Sequence, residues 1–169
     1  MTARVPDAYV AAGSNVRPRE SLSKALALLA REFPGLRASP AYSNPAVGFE
    51  GDDFINLVVA FPAPGTTEAL LDTLKGVERA CGREPGAPKW GPRTLDLDLL
   101  LHGERVGRVA GKSLPHPDLL TRAWVLGPLA GLAPSLLHPV ANETMESLWR
   151  RFDRDAHPLT RVALPGEGR

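Results

Sequence analysis

The chain has 169 residues, of which 43% are hydrophobic, and its 20 lysines and arginines against 19 aspartates and glutamates give a formal net charge of +1. This size and composition fit one globular domain with a real core and exclude a disordered or low-complexity chain. The balanced charge argues against a generally basic nucleic-acid-binding or membrane-surface protein, so any anion site must be a local cluster. The single cysteine, Cys81, excludes an intramolecular disulfide and a cysteine-based zinc site.

The ends of the chain and its most apolar stretch predict where the protein acts. The N-terminus lacks the apolar core of a signal peptide, and residues 123–137 are too short and too rich in glycine and proline to span a membrane. We therefore expect a cytoplasmic protein with no membrane contact and no fused second enzyme. We also expect a monomer with one domain over residues 1–169, whose segment 153–169 is a partly flexible C-terminal extension.

Hydrophobic periodicity predicts strands and helices that alternate along the chain. The predicted strands cover residues 9–12, 36–43, 54–61 and 94–101. The predicted helices cover residues 19–33 and 66–81, a segment from about 118 that breaks near Gly127-Pro128, and a last helix capped by Asn142. Because Pro40 interrupts the second strand, we expect that strand at an edge or bulged. The β-α-β-β-α-β order predicts an α+β fold, a ferredoxin-like split βαβ sheet with helices packed on it.

Two of the predicted strands carry polar side chains on one face. Alternation along residues 54–61 places Phe54 and Asn56 opposite the apolar core face. In the last strand Asp96 and Asp98 share one face, and the other face carries Leu95, Leu97, Leu99 and Leu101.

The two aspartates predict a metal site. Aspartate is disfavoured in strands, and two carboxylates about 5 Å apart at an effective dielectric near 20 repel by on the order of 3 kcal/mol. A divalent cation between them reverses the sign of that interaction. Because we expect only oxygen ligands here, with no histidine or cysteine near the two aspartates, Mg²⁺ or Mn²⁺ is favoured over zinc. The alternative is that both aspartates lie on a solvated sheet face, and the pair alone does not decide.

The residues before this strand favour phosphate chemistry. Residues 79–93 carry four cations, Arg79, Arg83, Lys89 and Arg93, against one acid, Glu84, and such cations neutralise phosphate oxygens. There is no P-loop pattern. Two other classes of protein stay open. One is a metal-dependent phosphohydrolase, although the strand face offers no further carboxylate or histidine to activate water. The other is a ferredoxin-like nucleic-acid-binding module, although the two aspartates would repel the phosphates of a nucleic acid.

A family resemblance lies in residues 89–100, which read KWGPRTLDLDLL and resemble the signature of 6-hydroxymethyl-7,8-dihydropterin pyrophosphokinases. Further segments follow in the order of that family: YVAAGSN at 9–15, YSNP at 42–45, FINL at 54–57, and Pro115-His116 followed by Arg122 and Trp124. The resemblance covers about residues 8 to 152. It implies Mg²⁺-dependent transfer of diphosphate from ATP to the hydroxymethyl group of the pterin, with release of AMP, a step of folate biosynthesis.

The resemblance also implies a role for individual residues, with ATP and the pterin as the partners and no nucleic acid. Two Mg²⁺ ions would be held by Asp96 and Asp98, which together with Arg83 and Arg93 form the catalytic set. ATP would contact Arg83, Lys89, Arg93, Leu99, Ser113 and His116. The pterin would contact Asn44, Val47, Phe54, Asn56, Trp90, Asp96, Arg122 and Trp124. Pro85 and Lys89 depart from the family pattern, in which arginine is common at both places.

Overall fold

A computed structural model of the chain describes residues 4–45, 53–82 and 94–165. The roles predicted for Val47, Arg83, Lys89, Trp90 and Arg93 lie outside the described residues, as does the end of the C-terminal extension from residue 166. Within those ranges, none of the helices combines the length and the apolar character that a membrane crossing requires.

The described elements alternate much as the periodicity predicts. The strands are β1 (Asp7–Ser14), β2 (Arg37–Ala38), β3 (Ala41–Asn44), β4 (Phe54–Pro62), β5 (Asp96–His102), β6 (Gly107–Val109), β7 (Lys112–Leu114) and β8 (Thr160–Val162). The α-helices are α1 (Pro18–Glu32), α2 (Thr67–Ala80), α3 (Ala123–Leu132) and α4 (Met145–Arg150), and a short 3-10 helix covers Pro117–Leu120.

The main sheet has the strand order β5-β1-β4-β3-β8, with β2 also paired to β4, and its paired strands are antiparallel. This confirms the α+β prediction, and the order of β5, β1, β4 and β3 is compatible with a split βαβ arrangement. The predicted strand over 36–43 is broken at Ser39-Pro40, since proline cannot donate to the ladder. Its second half, β3, is not an edge strand, because Ala41 pairs with Val162 of β8.

Helices cover both faces of this sheet. Helices α1 and α2 cover one face, and each places apolar residues at helical spacing against it. These residues are Leu22, Ala25 and Leu29 in α1 and Leu70, Leu74 and Val77 in α2. These side chains pack on Val10, Leu57, Leu97 and their neighbours. The opposite face is covered by α3 and α4, whose Leu126, Leu129 and Leu148 pack on Tyr9, Val58 and Leu100.

A bulge in β5 changes which side chains reach each layer. Tyr9 of β1 pairs with Leu101 and Val10 pairs with Leu99, so Leu100 is the inserted residue. Leu100 and Leu101 consequently both join the α3/α4 layer. The prediction that Leu101 continues the face of Leu95, Leu97 and Leu99 is therefore wrong, because a bulge reverses the alternation beyond it.

Two helix boundaries also differ from the prediction. Helix α3 continues through Pro128, because its buried face, which includes Val125 and Leu129, stays packed on the sheet and the proline removes a single hydrogen-bond donor. Helix α4 is capped by Thr144, whose Oγ1 accepts from the Ser147 N–H at 3.1 Å. Asn142 instead lies in the preceding turn with a φ of 55°.

Candidate functional site

The register of the sheet brings the polar residues of three strands into one row. Asp96 of β5 lies opposite Gly13 of β1, and Gly13 lies opposite Asn56 of β4. Residues opposite each other in an antiparallel pair point to the same face. Asp98, which is paired with Ala11, therefore shares the α3/α4 face with Asp96 and Asn56, as alternation predicts. The row crosses the end of that face at which β1 finishes, beyond the apolar layer.

The carboxyl group of Asp98 lies in a cluster with His116 and Asp118. One ligand atom from each of the three side chains lies within 4.8 Å of the others. The backbone N–H of His116 donates to the Leu100 carbonyl at 2.9 Å, which attaches the segment after β7 to β5. Burial, and then the charge of Asp96, raise the pKa of Asp98 to about 7, and the nearby Lys112 opposes this rise.

His116 is held in one tautomer by the chain that follows it. Its Nδ1 accepts from the backbone N–H of Asp118 at 3.1 Å, so the proton of the neutral imidazole is on Nε2. Burial lowers the pKa of His116, although the Asp118 carboxylate, 3.9 Å from Nδ1, acts in the opposite direction. At neutral pH this side chain is a neutral hydrogen-bond donor through Nε2.

These groups fit a hard divalent cation, because Asp98 and Asp118 offer carboxylate oxygens and the half-buried carboxyl groups need a counter-charge, whereas the Nδ1 of His116 already accepts from the Asp118 N–H. The prediction that no histidine lies near the aspartates is wrong, since His116 reaches Asp98 through the turn after β7. Sequence reasoning missed Asp118. Its position two residues after the predicted ATP ligand His116 was the signal available.

Glu78 of α2 supports the same strand from its outer edge. Its Oε2 accepts from the backbone N–H of Leu97 at 2.9 Å, between the two aspartates in sequence. The side chain is buried, and its charge adds to the forces that raise the pKa of Asp98. Glu78 therefore fixes the β5 backbone that carries both carboxylates.

Residues predicted to bind the pterin meet on the same face of the sheet. The side-chain Nδ2 of Asn56 donates to the Asn44 Oδ1, and the Arg122 guanidinium lies 5.2 Å from the centre of the Trp124 ring. Helix α3, which begins just before Trp124, packs on β3 and β4. Phe54 and Trp124 are half-buried, so each keeps part of its ring accessible.

Among the residues predicted to bind ATP, the three that the structure describes lie in two different places. Ser113 and His116 line one cleft of about 330 Å³, together with Pro117, Leu120 and His138. Ser113 Oγ also accepts from Arg108 at 3.3 Å. The Leu99 side chain is buried in the α1/α2 layer on the other face of the sheet. Any contact of Leu99 with ATP is therefore restricted to its main chain.

Carboxylates and an imidazole beside aromatic and amide side chains, at one open end of an antiparallel sheet, fit an enzyme of the metal-assisted phosphoryl-transfer class. Residues 9–134 match the family model described as 7,8-dihydro-6-hydroxymethylpterin-pyrophosphokinase. The chain is 40% identical over 144 residues to the 2-amino-4-hydroxy-6-hydroxymethyldihydropteridine pyrophosphokinase of Pseudomonas aeruginosa, with 83% of this chain and 88% of that protein covered. The enzyme of the same name from Synechocystis is 37% identical over 150 residues, with 86% and 76% covered.

A solved structure of Plasmodium falciparum HPPK-DHPS, wild type with pteroate, shares the fold with a TM-score of 0.70 and 14% identity over 86% of this chain. The chain spans 42% of that longer protein. The chain belongs to the 6-hydroxymethyl-7,8-dihydropterin pyrophosphokinase family, and it is a pyrophosphokinase of folate biosynthesis. This membership disfavours the phosphohydrolase and nucleic-acid-binding alternatives. Groups that could activate water nevertheless lie beside Asp98, since His116 and Asp118 approach it from outside the strand.

Proposed function

We propose that the chain transfers the diphosphoryl group of ATP to the hydroxymethyl oxygen of 6-hydroxymethyl-7,8-dihydropterin. A bond forms between that oxygen and the β-phosphorus, the bond between the β-phosphorus and the α–β bridging oxygen breaks, AMP leaves, and the hydroxyl proton is released. The observation that supports the proposal is the row of Asp96, Gly13 and Asn56 on one sheet face in a chain of this family, because Asp96 belongs to the predicted metal site and Asn56 to the predicted pterin site.

On the phosphate side, Asp96 and Asp98 would hold two Mg²⁺ ions, with Asp118 close to Asp98. When bound, the ions would neutralise the triphosphate and the charge that develops on it during transfer. His116 would donate from Nε2 to a phosphate oxygen, because Nδ1 is already occupied by the Asp118 N–H. Ser113 lines the same cleft as His116 and would contact ATP there. Arg83, Lys89 and Arg93 would add positive charge around the phosphates.

On the pterin side, Phe54 and Trp124 would stack on the two faces of the ring and Asn56 would bind its edge. Arg122, placed over Trp124, would keep that indole in position. Main-chain groups of Asn44 and Val47, together with Trp90 and Asp96, would complete the contacts. A monomeric state, a cytoplasmic location and one domain over residues 1–169 are further parts of this proposal.

The identity of the products tests the proposal. Protein, Mg²⁺, ATP and 6-hydroxymethyl-7,8-dihydropterin should give AMP and the pterin diphosphate in equal amounts, measured by phosphorus NMR. A parallel reaction without the pterin should release no AMP, because a transferase needs its acceptor. A hydrolase would release AMP without it. ADP as the main nucleotide product, or equal AMP without the pterin, would refute the proposed reaction.

A further inference from the structure

Gly13 lies between two residues of the proposed site, Asp96 on one neighbouring strand and Asn56 on the other. Its backbone is not what requires glycine, since Gly13 is absent from the described glycines with positive φ. A Cβ placed at this position would come closer than 3.0 Å to the Oδ1 atom of Asn56, a separation that real Cβ atoms do not show. The next atoms it would meet, Asn56 Cγ at 3.5 Å and the Ile55 carbonyl oxygen at 3.8 Å, are at ordinary contact distances. The amide oxygen of Asn56 therefore occupies the space that a side chain at position 13 would fill.

A chain of hydrogen bonds fixes which end of the Asn56 amide enters that space. The Pro45 carbonyl can only accept, and the Asn44 Nδ2 donates to it at 3.2 Å. The Asn44 Oδ1 is then the end that faces β4, where it accepts from the Asn56 Nδ2. Both asparagines are buried, with exposed fractions of 5% and 9%, so these amides do not exchange freely between orientations. The Asn56 Oδ1 is thereby directed over Gly13, towards the strand that carries Asp96.

We propose that Gly13 is a positioning residue for the pterin: its lack of a side chain, together with the Asn44–Asn56 amide pair, holds the Asn56 carboxamide in the orientation that receives the heterocycle. This inference rests on the proposed function, and it adds residues that act through Asn56. A methyl group at position 13 conflicts with the far end of a flexible side chain and with no backbone atom. The fold therefore accommodates Gly13→Ala by rotating the amide, and recognition changes more than stability does.

The expected effect is selective for one substrate. Binding is measured with the protein saturated by Mg²⁺ and an ATP analogue whose α–β bridge is methylene. Under these conditions Gly13→Ala should weaken pterin binding by about 10- to 100-fold, because a buried polar group of the complex is left unpaired. The affinity for the ATP analogue, measured by the same calorimetric titration, should change by less than about twofold. Gly76→Ala is the matched control, because Gly76 lies in α2 with nothing within 4 Å of its added Cβ, and it should bind the pterin as the wild type does.

A double-mutant cycle separates positioning from a general weakening of β1. In the Asn56→Ala background the amide is gone, so adding Gly13→Ala should cost no further pterin affinity beyond about twofold. A merely structural role would give the same loss in both backgrounds. If Gly13→Ala does not fold, Asn44→Ala provides the second arm, since it removes the acceptor of the Asn56 Nδ2, keeps the main chain, and should also weaken pterin binding selectively.

Two failures are distinguishable. A wild-type protein that makes no AMP from ATP and the pterin overturns the proposed function and this inference with it. An active wild type with a Gly13→Ala variant of unchanged pterin affinity, or with additive losses in the cycle, overturns the inference alone.

Discussion

The two faces of the central sheet are built by the same strands and yet carry different chemistry. On the face covered by α1 and α2, β1, β4 and β5 contribute aliphatic and aromatic side chains such as Val10, Leu57 and Leu97. The other face is apolar only beneath α3 and α4, and at its open end it carries Asn56, Asp96 and Asp98. Burial of the first face stabilises the fold, whereas the open end of the second places half-buried charge where folding gains nothing from it.

The raised pKa of Asp98 indicates that the charged end of the second face does not stabilise the fold. A carboxyl group whose pKa rises to about 7 is one that burial and neighbouring acids disfavour in its charged form. Lys112 offsets only part of this effect, and a bound cation would add the rest of the counter-charge. Adjacent residues of one strand, Leu97 and Asp98 or Asn56 and Leu57, should therefore respond in opposite ways to substitution.

The largest expected effect is on the charged end of the second face. Asp98→Asn should lower the rate of AMP formation at saturating Mg²⁺ by on the order of a thousandfold, as loss of a preorganised charge-stabilising group does. The free protein should stay folded and melt at the same temperature or higher, because the substitution removes repulsion with Asp96. Asp72→Asn on the exposed surface of α2 is the control and should change neither quantity. Near-normal turnover of Asp98→Asn at ordinary Mg²⁺ concentrations would contradict the metal assignment.

The opposite response is expected from the core face. Leu57 is fully buried between the sheet and the α1/α2 layer. Leu57→Ala should lower the free energy of unfolding by about 2–5 kcal/mol, through lost burial and the cavity left behind. Urea unfolding measures this loss. At a temperature where the variant is folded, its affinity for the pterin should match that of the wild type, and a selective loss of pterin binding would show that the two faces are not separable.

A smaller effect should come from the residues predicted to hold the heterocycle. Asn56→Ala and Trp124→Ala should each weaken pterin binding by about 1–3 kcal/mol, through an unpaired ring edge in one case and lost stacking in the other. Binding of the ATP analogue should change far less. Calorimetric titrations that show equal losses for both ligands would count against this assignment.

The sequence predicted the two faces well because a strand has a fixed period of two. Alternation alone assigned Phe54 and Asn56, and Asp96 and Asp98, to the face opposite the core leucines, and the sheet register agrees. The ends of helices α1 and α2 were predicted within one residue for the same kind of reason, because apolar residues recur along each at helical spacing.

Long-range features were beyond such patterns. The bulge at Leu100 falls in a run of leucines that all suit either face, so no residue type marks it. The approach of His116 and Asp118 to Asp98 depends on a tertiary contact, the hydrogen bond from the His116 N–H to the Leu100 carbonyl. The strand β8 is three residues long, and only its pairing with β3 identifies it.

The smallest effect concerns the layer that covers the second face, where a buried histidine holds the connection between α3 and α4. The Nδ1 of His138 accepts from the backbone N–H groups of Val140 and Ala141, at 3.2 and 3.0 Å. Burial lowers the pKa of His138 below its usual 6.5. A proton on Nδ1 would remove that acceptor, so the folded state binds the proton more weakly than the unfolded chain does. The contribution of His138 to stability is therefore complete above pH 6.5 and is lost as the pH falls through the lowered pKa.

His138→Gln removes this titration. Thermal melts from pH 7.5 to pH 5 should show a steeper fall in melting temperature for the wild type than for His138→Gln, and the difference between the two curves cancels the titration of the carboxyl groups that both proteins share. Parallel curves would show that His138 keeps its ordinary affinity for the proton when the α3/α4 layer is folded.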